Sequence, residues 1–210
     1  MRPGALLDAT DRLRLDAAIR EVERATSGEL VVCVVRACDE YGAAGWRLAA
    51  ALAALALLGL AGLREGVSAA SLLAAQVVAA LLAHLVARID AVRRLLIDEA
   101  LVEARVRERA LRAFAEHGLA RTAGRTGVLI LVATFERRVA VLADEGVHRA
   151  LAPGETWDDV VALAVAGLRS GRAAEGLLAA IRRCGEVLSR CLPPGPTNPD
   201  EIVRAVIVEE

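Results

Sequence analysis

Lysine is absent from this 210-residue chain: all 26 basic residues are arginine, set against 27 acids. Schiff-base chemistry, a lysine general base and a Walker-type phosphate loop all need that missing amine, so they are excluded. The formal net charge of −1 leaves no electrostatic footprint for nucleic acid. Aromatic residues are scarce at 2%, and the 56% apolar content, above the usual 45–50%, is largely Ala, Leu and Val. The four cysteines, Cys33, Cys38, Cys184 and Cys191, form no Cys-x-x-Cys, and none has a histidine at zinc-finger spacing. Such thiols fit a reducing compartment. The opening "MRPGALLDATDRLRLD" lacks the apolar core of a secretory signal, so a cytoplasmic domain is expected. The length suits one ordinary domain with room for an extra element.

That extra element is the segment from Trp46 to Val86. Leu48 to Leu63 holds no polar residue; after "REG" (64–66), the run Val67–Val86 carries Ser68, Ser71, Gln76 and His84. Each arm would be about 24–30 Å long as a helix, near the span of a bilayer core. Apolarity around the whole first arm argues against a surface helix. The pattern predicts a two-helix transmembrane hairpin over 46–88 with its turn at Arg64-Glu65-Gly66 and Trp46 as an interfacial anchor. Arg36, Arg47, Arg88, Arg93 and Arg94 flank the base, whereas the tip offers only Arg64 beside Glu65. The positive-inside rule then places the protein at the cell membrane with its folded domain on the cytoplasmic side. Alanine is only weakly hydrophobic, so a buried helical hairpin or an Ala-rich homo-oligomer interface stays open.

Around the hairpin the pattern is α/β. Thr10 is positioned to cap a helix from Asp11 with a stripe at Leu13, Ala17/Ala18, Val22 and Ala25, and Gly28 to end it. "ELVVCVVRA" (29–37) suits a buried strand. "DAVRRLLIDEALVEARVRERALRAFAEHGL" (90–119) reads as one long helix closed by Gly118, with His117 at the negative end of its dipole. "GVLILVA" and "RVAVLAD" then form strands joined by 134–137, close enough to pair antiparallel. Thr156 starts a helix whose first turn holds Asp158 and Asp159, better read as dipole partners than metal ligands. A second helix spans about 172–192, "PPGPTNP" ends it, and "DEIVRAVIVEE" is a tail with strand character.

The order "TSGELVV", "RALRAFAEHGLARTAGRTGVLILVATFERRVAVLADEGV", "TWDDVV" and "GLLAAIRRCGEVL" resembles the TPM domain, the family of thylakoid-lumen, photosystem-repair and receptor-accessory proteins. The match covers most of the chain outside the hairpin and is most specific over Phe114–Val147. The resemblance implies an α/β/α sandwich around a mixed sheet. Some members of that family are phosphatases or bind divalent cations, and similar proteins often carry membrane helices. On this reading residues 1–45 are the first part of a TPM-like domain, 46–88 the hairpin, 89–192 the remainder and 193–210 a tail.

Strands 29–37 and 127–133, joined by a long helical crossover, should run parallel, and 138–143 should run back. One sheet edge then gathers Thr26, Ser27 and Glu29 with Arg125, Thr126, Asp144 and Glu145; Asp39, Glu40 and Glu136 fall on the other. Three carboxylates, Glu29, Asp144 and Glu145, with nearby hydroxyls could hold Ca²⁺ or another hard cation through oxygen. Gly28-Glu29 and Asp144-x-Gly146 match recurring features of the family-like pattern. Arg125–Gly127 departs from it, since an amide commonly precedes that glycine, and an arginine there could neutralise Glu29 or Asp144 and remove the need for a metal. "CGEVLSR" (184–190) has the Cys-x5-Arg spacing of cysteine-dependent phosphatases but lies inside an apparent helix. No histidine or lysine stands at the edge as a general acid by sequence position. The expected function is a membrane-anchored, cytoplasm-facing TPM-like domain that binds a partner, such as a membrane protein, or a divalent cation without chemistry. The alternatives are a metal-assisted phosphatase using Glu29, Asp144 and Glu145, and a soluble protein whose apolar hairpin mediates oligomerisation.

Overall fold

The computed structural model describes residues 6–61, 68–86, 88–195, 202 and 205–209. In chain order the elements are α1 (Ala9–Arg24), β1 (Glu29–Val35), α2 (Gly42–Ala61), α3 (Ala69–Val86), α4 (Asp90–Leu95), α5 (Glu99–Glu116), β2 (Gly127–Ala133), β3 (Arg138–Ala143), α6 (Glu145–Ala150), α7 (Asp158–Arg169), α8 (Ala173–Cys191) and β4 (Val206–Glu209). The chain divides into two compact units, Met1–Cys38 with Ala104–Glu210, and Asp39–Glu103.

The first unit is built on a mixed four-stranded sheet of order β3-β2-β1-β4. β1 runs parallel to β2 and to β4, while β2 and β3 form an antiparallel pair, as their short connection requires. Every residue of β1 and β2 is buried, which is why both strands are continuous apolar runs rather than alternating ones. Alternation sorts them by face. Leu30, Val32 and Val34, with Val128, Ile130 and Val132, join one core with Leu15 and Ile19 of α1 and Leu177, Ile181 and Leu188 of α8. The intervening residues Val31, Cys33, Leu129 and Leu131 point to the other face, where Val106, Ala110 and Ala113 of α5 are also buried. The tail strand β4 completes the sheet, Val32 pairing with Val206 and Val35 with Glu209.

Several local expectations change. Asp8, not Thr10, caps α1, through a capping box with Asp11. Its buried stripe is Leu15, Ala18, Ile19 and Val22, and Leu13 is 70% exposed, because the row carrying Leu15 and Ile19 offers more apolar volume than the alanine-rich row. Ala25 is the C-cap, and Gly28 instead allows close approach, since a Cβ there would lie 3.2 Å from Leu188. The long helix after the hairpin breaks at 96–98, where the Asp98 carboxylate accepts from the Ala100 amide at 2.8 Å and starts α5 afresh. Gly118 does close α5, in the left-handed conformation. The segment Glu145–Ala150 forms the short helix α6.

The largest correction concerns the second unit. Its helices α2 and α3 pack on each other, but among the described residues no helix is long and apolar enough to cross a membrane. The transmembrane hairpin is therefore overturned. α2 opens with Gly42–Gly45 and carries Arg47, so its unbroken apolar part, 48–61, is only about 21 Å long against the roughly 30 Å hydrocarbon core. α3 is 18 residues long and carries Ser71, Gln76 and His84. The Gln76 amide donates to the Ala53 carbonyl at 3.1 Å, tying the two helices together. The expected turn at 64–66 lies outside the described residues.

Candidate functional site

The three strand ends predicted to share an edge do so. Glu29 pairs with Gly127, and the Asp144 amide donates to the Gly127 carbonyl at 2.9 Å, so Glu29, Gly127 and Asp144 form one row across the sheet. Two strand spacings put the Cα atoms of Glu29 and Asp144 roughly 10 Å apart. Both residues are buried, at 5% and 6% exposure.

Asp144 caps α6, its carboxylate accepting from the Glu145 amide at 2.7 Å. It also accepts from Arg125 Nε and Nη2, each at 2.8 Å, a two-pronged guanidinium–carboxylate fork. Burial pushes the Asp144 carboxyl up, but the Arg125 bonds, the Glu145 amide and the charges of Arg125 and His148 outweigh it and hold the carboxyl below its ordinary value. The same fork, chiefly through its hydrogen bonds, raises Arg125. His148, at the end of α6, is the histidine that sequence position did not place at this edge.

A lowered carboxyl fixes the sign of a pH effect. The pair stabilises the fold fully above the ordinary carboxyl value near 3.8, and that contribution fades as pH falls from there through the lower folded value. Thermal unfolding of Asp144→Asn should therefore show a shallower loss of stability than the parent between about pH 4 and 2. Parallel acid profiles in the two proteins would show that the fork contributes nothing.

The remaining edge residues are tied to the backbone or to surface pairs. Thr26 Oγ1 donates to the Leu192 carbonyl at 2.6 Å and accepts from the Gly28 amide. Thr126 Oγ1 donates to the Ser27 carbonyl at 2.8 Å. Glu145 turns to solvent and pairs with Arg149 at 3.1 Å. A cation held by Glu29, Asp144 and Glu145 would have to displace Arg125 from Asp144 and Arg149 from Glu145, so the acids meet as a sheet-edge row closed by arginine.

The Asp144-x-Gly146 spacing has a steric cause. Arg125 lies in the left-handed region, φ 54°, and its carbonyl accepts from the Gly146 amide at 2.9 Å. A Cβ at Gly146 would fall 2.2 Å from the Gly124 carbonyl oxygen and 2.6 Å from that of Arg125. Only glycine lets α6 start against this turn.

The Cys-x5-Arg segment is not a phosphate loop. Cys184 is fully buried within α8, burial pushes its thiol up to about 12, and Arg190 pairs with Glu155. Sequence reasoning missed a different convergence. Cys33 Sγ lies 3.9 Å from Glu209 Oε1, and His117 Nε2 lies 3.5 Å from the same oxygen. The strand character of the tail was the available signal, but its place beside β1 was not written in it.

Comparison with known proteins follows the same outline. Among curated proteins, none matches this sequence. The NMR structure of the BA42 protein from the psychrophilic bacterium Bizionia argentinensis sp. nov. superimposes with a TM-score of 0.58 over 97% of this chain and 95% of that one, at 18% identity, a likeness of fold. The model of the TPM domain matches residues 71–187, more than half of the chain. The chain belongs to the TPM domain family.

Proposed function

We propose that this TPM domain protein is a self-associating binding module, held together through its apolar helical hairpin. The observation that carries this reading is the exposure of large apolar side chains along both helices. Leu73, Val77, Leu81 and Leu85 form an i, i+4 row on α3 and are 68%, 59%, 60% and 59% exposed, while Leu55 and Leu58 of α2 are 62% and 71% exposed. Water-facing rows of this kind mark association surfaces. The residues from Leu48 to Ala61 and from Ala69 to Leu82 carry no charge, so the face has no charged partner to complement, whereas a two-fold pairing makes an apolar face complementary to itself. A face of two helices, each about 27–30 Å long and about 10 Å wide, offers roughly 550 Å², so a pair of copies would bury about 1,100 Å², just above the roughly 1,000 Å² expected of a specific interface. The Arg125–Asp144 fork and the buried thiol of Cys184 support binding over the alternative of phosphate-ester hydrolysis.

The expected result is a dimer or higher oligomer by light scattering after size exclusion without detergent, and a monomer for Val77→Glu/Leu81→Glu. Forcing unpaired carboxylates into an apolar interface costs about 3 kcal/mol or more, roughly a hundredfold in dissociation constant. A monomeric parent chain, or flotation with phosphatidylcholine vesicles in place of self-association, would overturn the reading.

A further inference from the structure

We propose that Cys33, His117 and Glu209 form a binding site for a zinc-type transition-metal ion, with Arg109 orienting the carboxylate. The three residues come from three elements that only the fold unites: the middle of β1, the end of α5 and the C-terminal strand β4. Their ligand atoms all lie within 4.8 Å of one another. Tetrahedral zinc, with bonds of about 2.0–2.3 Å, needs ligand atoms about 3.3–3.8 Å apart. The observed 3.5 Å between His117 Nε2 and Glu209 Oε1 meets that spacing, and the 3.9 Å between Cys33 Sγ and Glu209 Oε1 needs only a small rotation.

The surroundings fit a metal in three further respects. His117 Nε2 is buried and makes no hydrogen bond among the described residues, and it lies 3.5 Å from Glu209 Oε1, a position from which it can ligate an ion. Glu209 divides its two oxygens: Oε1 faces Cys33 and His117, while Oε2 is held by Arg109. Arg109 is itself fixed on its other side by Glu116, Nη1 to Oε2 at 3.3 Å. This is the arrangement in which an outer charged group sets the direction of a ligating oxygen. Charge closes as well. A divalent ion, the Cys33 thiolate, Glu209, Glu116 and Arg109 sum to zero, so the loaded site is neutral around a cysteine that is fully buried.

The donor set selects the ion. A sulfur and an imidazole nitrogen beside one carboxylate suit Zn²⁺ or Co²⁺ and not Ca²⁺ or Mg²⁺, which take oxygen. Three protein ligands leave the fourth tetrahedral position to water. On binding, the Cys33 thiol loses its proton to solvent and its sulfur pair forms the metal–sulfur bond. Because that proton is released on binding, metal uptake should strengthen with pH.

The test is titration of the metal-stripped full chain with Co²⁺, followed by displacement with Zn²⁺. One ion per chain and a near-ultraviolet thiolate-to-cobalt band are expected. Cys33→Ser should abolish the band, and Cys38→Ser, a cysteine outside the cluster, should keep it. His117→Gln, at a partly exposed position, provides a second variant should Cys33→Ser fail to fold, and its Zn²⁺ affinity should drop at least about tenfold. Stoichiometric binding with no sulfur band, loss of the band in Cys38→Ser, or unchanged affinity in His117→Gln would overturn the assignment.

Discussion

Replacing Gly146 by alanine should lower the melting temperature of the protein by roughly 6–12 °C, the shift that about 3 kcal/mol produces in a chain of this size. Alanine is ordinarily the better helix residue by about 1 kcal/mol, and Gly146 lies in the first turn of α6, so propensity alone predicts the opposite sign. Packing decides against it. The new Cβ would stand 2.2 Å from the Gly124 carbonyl oxygen and 2.6 Å from that of Arg125. Both obstacles are backbone, so no rotamer change relieves them, and relief requires the 122–126 turn to move. That movement would break the Gly146 amide bond to the Arg125 carbonyl and tilt the guanidinium away from Asp144. A matched control is Gly59→Ala in α2, where an added Cβ meets nothing within 4 Å; it should hold or raise stability. Differential scanning calorimetry of the pair provides the measurement, and an unshifted Gly146→Ala would show that the turn yields freely.

The second large effect lies where α7 crosses α8. Gly167 and Gly176 meet backbone to backbone: a Cβ on Gly167 would lie 2.4 Å from the Gly176 Cα, and one on Gly176 would lie 2.5 Å from the Gly167 Cα. The crossing brings Val160 and Ala164 of α7 into the same core as Leu177 and Ile181 of α8. Alanine at either position should separate the helices and cost about 3 kcal/mol or more, read as the denaturant midpoint. The two changes share one gap, so Gly167→Ala/Gly176→Ala should cost clearly less than the sum of the single variants. Strict additivity would mean that each glycine serves a separate contact.

The limits of the sequence can be placed on individual residues. The parallel pairing of β1 with β2, the return of β3 and the gathering of Glu29, Arg125 and Asp144 at one edge were all legible, because strand direction follows from connection length and strand ends follow from turns. Two local starts were misjudged for local reasons. Asp8 competes with Thr10 as a cap through its reciprocal bond to Asp11, and Asp98 interrupts an otherwise helical pattern by capping a new helix. The hairpin was misjudged for a different reason: apolarity around a helix measures what water disfavours, but the length available to cross a bilayer depends on where the helix begins, and α2 begins with four residues of Gly and Ala before Arg47.

What the sequence by itself determined is the set of elements and their order. Hydrophobic runs, turn residues and connection lengths act over a few residues, and they specify an α/β sheet with a TPM-type edge. What only the tertiary structure decided is which groups meet. The bidentate reach of Arg125 to Asp144 depends on a left-handed turn held by Gly146. The convergence of Cys33, His117 and Glu209 depends on a tail strand pairing with β1 across more than 170 residues of chain. Local patterns fix a side chain's periodicity, but contact at 3 Å is set by packing between elements, and that information is distributed over the whole chain.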